Sequence, residues 1–264
     1  MTNLLQIAGV DVFVDGDGPE AIVMIHGWPD TYRVWDAQVD ALKAHYRCVR
    51  FTLPGFDIAK PRQAHTLPQL TAAIQAIVEE TSPGRKVTLM LHDWGCMFGY
   101  EFAMRHPELV SRIIGVDVGD AGSREQVRAL GRKNKALVVF YQRWLALAWR
   151  IGGRIGDWMT RAMARALGCP SDIRFISSGM NYPYAMQWSG AYAALRRRLV
   201  LPGPLLFIYG TKKPFMFHSK AWADGVATQA GCKVLPLEAS HWVMRDQAGP
   251  FNDAVLAWLE SKAT

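Results

Sequence analysis

Asp93 stands where an apolar, β-prone run, Val87-Thr-Leu-Met-Leu91, breaks at His92-Asp-Trp-Gly95 into a helical pattern. A strand that turns sharply into a helix can hold the residue at the break on an exposed elbow, where a nucleophile can meet substrate. The best-known elbow reads G-x-S-x-G; here the central residue is a carboxylate. A carboxylate in that place can attack a carbon that bears a leaving group and form an ester. Cleaving the ester at its carbonyl generates a negative oxygen, which needs fixed hydrogen-bond donors. The Trp94 amide, directly after the nucleophile at the start of a helix, is one expected donor. The Trp28 amide, in the turn His26-Gly-Trp-Pro29, is the other.

The ester must also meet an activated water. Of seven histidines, His241 in Ser240-His-Trp242 follows the last strand pattern and precedes the last helix, the place of a general base in this arrangement. His26 and His92 flank the site and are alternatively structural hydrogen-bonders. His45, His65, His106 and His218 lie in connections or beside helices, where surface roles are expected. A catalytic histidine needs a carboxylate on its other ring nitrogen. That acid commonly follows the penultimate strand as Gly-x-x-Asp, yet the turn here is Gly210-Thr-Lys-Lys213. Asp117, at the end of the strand after the elbow helix, is the expected substitute, with Asp120 as the fallback.

The elements that must carry these groups alternate. Strands are predicted at Leu4–Ala8, Asp11–Val14, Ala21–Ile25, Arg47–Leu53, Lys86–Leu91 and Ser111–Val118. Helical spacing occupies Trp35–Ala44, Leu67–Glu80 and Cys96–Met104. After Gly119-Asp-Ala-Gly122 the pattern becomes purely helical over 123–199, with breaks at Gly152-Gly153 and Gly168-Cys-Pro170. Alternation then resumes with Pro204–Tyr209, Ser219–Ala230, Lys233–Leu237 and Phe251–Glu260. Alternating strands and helices imply an α/β fold with a mostly parallel central sheet and helices on both faces. A core of residues 1–122 and 200–264 is expected, with residues 123–199 as a helical cap over the sheet's carboxyl edge, where such sheets bind ligands.

The bulk properties narrow the possibilities. At 264 residues, half of them apolar, the chain can bury a core without disulfides. Its four cysteines are scattered, with no C-x-x-C pair, as in a reducing cytoplasm. The start, Met1-Thr-Asn-Leu-Leu-Gln6, lacks the charged and apolar regions of a signal peptide, and Ala136–Trp149 is too short and polar to span a bilayer. A formal charge of +7 reads as a solvated basic face, without a module for nucleic acid or membrane. No His/Cys cluster has zinc-like spacing and no glycine-rich phosphate loop appears, so neither metal nor organic cofactor is expected. The expected partner is a small hydrophobic substrate, and a monomer or a homodimer is compatible with the composition.

These motifs together, His26-Gly-Trp-Pro29, His92-Asp-Trp-Gly95 with Gly99, the cap position and Ser240-His-Trp242, resemble the α/β-hydrolases of the epoxide hydrolase and haloalkane dehalogenase group. Some dehalogenases of that group place the triad acid where Asp117 stands. The resemblance implies an Asp93 nucleophile, a His241 base and two cap tyrosines that protonate an opening epoxide. Tyr141 is one of these, and Tyr184, ahead of Tyr182 in Asn181-Tyr-Pro-Tyr184, is the other. Tyr182 then joins the substrate-binding residues with His26 and Trp188. Dehalogenation instead needs halide donors: Trp94 fits, and Trp144, Trp149, Trp158 or Trp188 would have to be the second. Trp28 and the tyrosine pair favour epoxide hydrolysis. A binding protein that has lost hydrolysis is a third reading, and a cofactor-independent oxygenase, whose elbow usually holds Ser, a minor fourth. Two features depart from the family. The cap is short, and Leu91 stands where the elbow usually has a small residue, which requires different packing nearby.

Overall fold

The computed structural model describes residues 2–196 and 198–261. Eight strands form one sheet: β1 (Thr2–Ile7), β2 (Val10–Asp15), β3 (Ala21–Ile25), β4 (Arg47–Phe51), β5 (Val87–His92), β6 (Val110–Val116), β7 (Leu205–Gly210) and β8 (Lys233–Leu237). Their order is β1-β2-β4-β3-β5-β6-β7-β8. β1 and β2 are antiparallel, and β2 pairs antiparallel with β4; every later pairing is parallel. The hairpin turns through Ala8 and Gly9, both at positive φ, the backbone that a two-residue turn between twisted strands requires.

The central parallel strands, such as β3 and β5, are apolar on both faces because helices cover both. Ile22, Met24, Met90, Ile114, Leu206 and Ile208 face α1 (Asp36–Leu42), α9 (Val243–Asp246) and α10 (Ala248–Glu260). Their alternating neighbours, including Val23, Ile25, Leu89, Ile113 and Phe207, face α2 (Leu67–Thr81), α3 (Trp94–Arg105) and α8 (Lys220–Ala227). α2 starts in a reciprocal cap, Thr66 with Gln69, and Ser219 caps α8, which sets both helices' entry points.

Between β6 and β7 lie α4 (Arg124–Ala129), α5 (Arg132–Ile151), α6 (Gly153–Ala166) and α7 (Tyr182–Trp188), with no strand among the described residues. Gly152 and Gly153, both at positive φ, let α5 and α6 fold back as a hairpin. This insertion is tied to the turns after β3 and β4. Trp28 Nε1 donates to Asn181 Oδ1 at 2.7 Å, and Tyr182 donates to the Pro54 carbonyl at 2.9 Å. Ser171 donates to Asp30, and Tyr192 to the His65 carbonyl.

Differences from the sequence reading are local. The expected helix over Trp35–Ala44 is a 3-10 turn, Tyr32–Trp35, followed by α1. β4 stops at Phe51, because the Leu53 amide donates to His26 Nε2 (2.9 Å) instead of to a neighbouring strand. α9 is a single turn that the pattern did not reveal.

Candidate active site

The elbow forms because β5 runs directly into α3. Asp93 takes φ 52° and ψ −121°, outside the regions an ordinary side chain favours. Such strain persists only where the surroundings over-determine it, and three glycines do so here. A Cβ on Gly27 would collide with the Asp93 carboxylate, and one on Gly95 with the Ile25 carbonyl. A Cβ on Gly99 would collide with the Leu91 side chain. The bulky Leu91 is therefore accommodated on the helix side: its isobutyl group fills the space that Gly99 leaves, and both residues are buried.

The turn after β3 brings the Trp28 amide to Asp93, where it donates to Oδ1 at 2.7 Å. The Trp94 amide donates to the same carboxylate. Two backbone donors thus already hold the carboxylate, Trp28 on Oδ1, while Oδ2 faces His241 Nε2 at 3.4 Å. His26, fully buried, holds the turn: its Nδ1 meets the Gly27 carbonyl at 2.9 Å while Nε2 accepts from Leu53. Burial lowers its pKa to about 4, so the imidazole stays neutral and can accept.

His241 sits on the loop after β8. Its Nδ1 lies 2.6 Å from Asp117 Oδ2. Asp117 is fully buried, follows β6, and adopts φ 68°, which swings its carboxylate toward β7. Its Oδ1 accepts from the Gly210 amide (2.9 Å) and from the Lys213 ammonium. Lys213 Nζ also donates to the Gly210 carbonyl, and its side chain is 7% exposed. In sequence, the turn after β7 shows only the lack of an acid. In the structure the Gly-x-x-Asp position holds a cation that grips the relocated acid. Asp120, the fallback, instead accepts from Ser219 and Ser123, away from His241.

Charge follows from this geometry. Burial alone would raise the pKa of Asp93 and Asp117, but their contacts with His241, and that of Asp117 with Lys213, hold both below the usual range. Burial alone would lower that of His241, yet hydrogen bonds and charge from Asp117 and Asp93 raise it to about 9. Esterifying Asp93 removes one of those negative charges, so the same imidazole becomes a weaker base that can be neutral when water must be activated.

Two adjoining cavities, of about 360 and 180 Å³, reach Asp93. Tyr141 of α5 and Tyr184 of α7 wall both, as do Phe215 and Phe217 from the stretch after β7. The tyrosine rings meet edge to face, 6.1 Å between centroids. Burial pushes both phenol pKa values up, so they remain protonated. Leu130, Met97 and Val138 make much of the larger cavity apolar, with Gln126, Gln142 and Gln187 as polar points.

The three expected substrate-binding residues line neither cavity at Asp93. Tyr182 is fully buried and its hydroxyl is committed to Pro54, so it fastens the insertion to the core. Trp188 lies on the outer side of α7 under the Arg143 guanidinium and lines neither cavity at Asp93. His26 also lines neither. The remaining cap indoles line neither cavity: Trp144 Nε1 donates to the Met159 carbonyl, the Trp149 ring lies under the Arg62 guanidinium, and Trp158 is exposed. The Trp94 indole is directed at the Tyr184 hydroxyl.

Sequence reasoning missed Asp30, fully buried behind the site. It accepts from Ser171 and from Trp242 Nε1 (2.9 Å), with His92 Nδ1 at 3.8 Å. Burial raises its pKa to about 6 and lowers that of His92 to about 3. Its place directly after the turn His26-Gly-Trp-Pro29 was the one available signal. Among the described residues, no group of three His, Cys, Asp or Glu side chains is arranged to hold a metal.

A sequence model described as alpha/beta hydrolase fold matches residues 20–246. Among curated proteins, the chain is 34% identical over 100 residues to a "Probable oxidoreductase EphD" of Mycobacterium tuberculosis, a match that covers 37% of this chain and 17% of that protein. It is 23% identical to "Epoxide hydrolase 1" of Caenorhabditis elegans, over 92% of this chain and 65% of that protein. Among solved structures, an inhibitor complex of Bacillus megaterium epoxide hydrolase superposes with a TM-score of 0.73 at 21% identity, covering 98% of this chain and all of that one.

Proposed function

The chain belongs to the alpha/beta hydrolase fold family, and on that footing we propose that it is an epoxide hydrolase, opening a hydrophobic epoxide to a diol through an ester on Asp93. One observation carries this reading. Both cavities that reach Asp93 are walled by the same two protonated phenols, Tyr141 and Tyr184. An epoxide that opens leaves an alkoxide on the substrate, and that oxygen needs a proton donor opposite the nucleophile. A departing halide is better held by indole N–H groups, but those of Trp28, Trp94 and Trp144 are directed at Asn181, Tyr184 and Met159. The same Asp93/His241 pair could serve haloalkane dehalogenation, and this shortage of donors argues against it. The strained elbow and the intact charge relay argue against a passive binding protein.

In this mechanism Asp93 Oδ2 attacks one epoxide carbon while a tyrosine O–H protonates the departing oxygen. Oδ1 becomes the ester carbonyl oxygen and stays on the Trp28 and Trp94 amides. His241, held by Asp117, takes a proton from water, and the hydroxide adds to Asp93 Cγ. The amides hold the resulting oxyanion until the Cγ–Oδ2 bond breaks; the His241 imidazolium gives its proton to the departing Oδ2, the new Asp93 carboxylic acid returns a proton to the tyrosine phenolate, and the diol leaves. One oxygen of the water remains in Asp93. The apolar cavity walls and the epoxide hydrolase names among the relatives support a hydrophobic epoxide as substrate.

The test uses His241→Gln protein with styrene oxide and, separately, 1-bromobutane. An adduct on the Asp93 peptide from the epoxide supports the reading; an adduct only from the halide moves it to dehalogenation. Single turnover of the parent in ¹⁸O-labelled water must place label in Asp93. Diol formed with no label there would overturn the ester pathway.

A further inference from the structure

Charge is divided unevenly along this chain. Residues 123–199 hold 14 of the 30 Lys and Arg but 3 of the 23 Asp and Glu, a formal +11 that leaves −4 on the remainder. Composition alone reads this excess as a solvated face. The structure adds that the same segment carries 11 of the 14 large apolar side chains exposed on the described surface.

The two kinds of residue share the outward sides of α5 and α6. On α5 the buried stripe is Tyr141, Leu145 and Ala148. Away from it, at helical spacing, Phe140, Arg143, Leu147, Arg150 and Ile151 are exposed. Beyond the Gly152-Gly153 turn, α6 continues with Arg154, Ile155, Trp158 and Arg165. Phe140, Ile155 and Trp158 are 56, 64 and 62% exposed, so water touches most of each ring or branch.

A partner for this face must be apolar and anionic at once. A second copy placed face to face would set Arg143, Arg150, Arg154 and Arg165 against the same arginines, with no exposed acid on either helix to offset them. Nucleic acid meets the charge but gives Leu147, Ile151 and Ile155 nothing to pack on. A membrane surface meets both needs, because guanidinium groups sit at the phosphate level while short apolar side chains enter the acyl boundary. No helix among the described residues is long and apolar enough to cross a membrane.

We propose that the outward faces of α5 and α6 dock on an anionic lipid membrane, with the hairpin lying in its surface. Tyr141, Val138 and Gln142, on the other side of α5, line the cavity above Asp93. Docking would therefore set the site one helix away from a reservoir of apolar compounds. Only this last consequence rests on the epoxide reading; the docking itself does not.

Vesicle flotation tests it with the full chain, using phosphatidylcholine vesicles with and without about 30% phosphatidylglycerol. The parent protein should float with the anionic vesicles at low salt and at least tenfold less with neutral ones or in about 0.5 M NaCl. Phe140→Ser/Trp158→Ser should lose at least tenfold, and Arg150→Glu/Arg154→Glu more than a hundredfold, since each basic residue at such a surface is worth about fivefold. Unchanged near-ultraviolet circular dichroism confirms that these surface variants fold. No flotation of the parent overturns the proposal. So does flotation of the Phe140/Trp158 variant equal to the parent, or tighter binding to a DNA duplex than to the vesicles. None of these measurements needs turnover, so a failure of epoxide chemistry would be seen separately.

Discussion

Replacing Lys213 with methionine removes a charge while keeping most of the side chain's length, and its effect can be worked from the geometry. The Lys213 ammonium is paired with one oxygen of Asp117, and the other oxygen lies 2.6 Å from His241 Nδ1. That places the ammonium roughly 6 Å from the imidazole. Two unit charges at that distance interact by about 3 kcal/mol at an effective dielectric of 20, equivalent to about two pH units. Water entering the space left behind reduces this, so one to two units is the expected range. The ammonium disfavours imidazolium, and without it Asp117 acts on His241 unopposed. His241 then binds its proton more tightly and is neutral only at higher pH. The acid limb of kcat should move up by about one to two units, and ester hydrolysis at a pH below that limb should slow by about 10- to 100-fold. Activity should return at high pH, and Lys213→Arg should keep the parent profile. The assay is kcat against pH, beside a direct NMR titration of labelled His241. A Lys213→Met protein whose limb stays within about 0.3 units of the parent would refute the reasoning. A loss that is uniform at all pH would refute it as well, by pointing to lost orientation of Asp117.

Tyr141→Phe and Tyr184→Phe should each slow ester formation from an epoxide by about 10- to 100-fold, since each deletes one hydrogen bond to a developing alkoxide; stopped-flow kinetics that show slowed ester hydrolysis instead would contradict the assignment. Gly99→Ala should destabilise by about 1–3 kcal/mol through collision with Leu91. Adding Leu91→Ala should then cost less than the two changes summed, and strict additivity in urea denaturation would exclude the contact. Asp30 has its pKa raised to about 6 by burial, so the folded protein holds this proton more tightly than the unfolded chain does. Its contribution to stability is full below about pH 4 and is lost as pH rises through 6, by about 3 kcal/mol. Asp30→Asn should therefore gain that much relative to the parent between pH 4 and 7.5, and an offset independent of pH would refute this.

Much of the fold was legible in the sequence because its signals are local. The apolar run Ala21–Ile25 became a strand with the expected bounds, since a strand covered on both faces needs no alternation. The elbow, the amide turn and the late histidine were legible because each is fixed by a strand end, where the chain has few conformations. Side-chain partnership was not legible. Tyr182 and Tyr184 are two residues apart, yet one hydroxyl is tied to Pro54 while the other side chain walls the cavity at Asp93. Helix α7 points successive side chains in different directions, and only the packing of the whole insertion decides which one reaches the site.

The sequence by itself determined the order of elements, the carboxylate at the end of β5, and the two residues, His241 and Asp117, that could complete it. Each rests on residue type and on position relative to a strand, which local physics governs. The tertiary structure alone decided that Asp117 rather than Asp120 meets His241, and that Gly99 makes room for Leu91. It also decided that Lys213 grips the acid from the turn where an acid was missing. These are distances between β5, β6, β7 and the last loop, set by the register of a sheet whose strands are far apart in the chain. No local pattern encodes such distances.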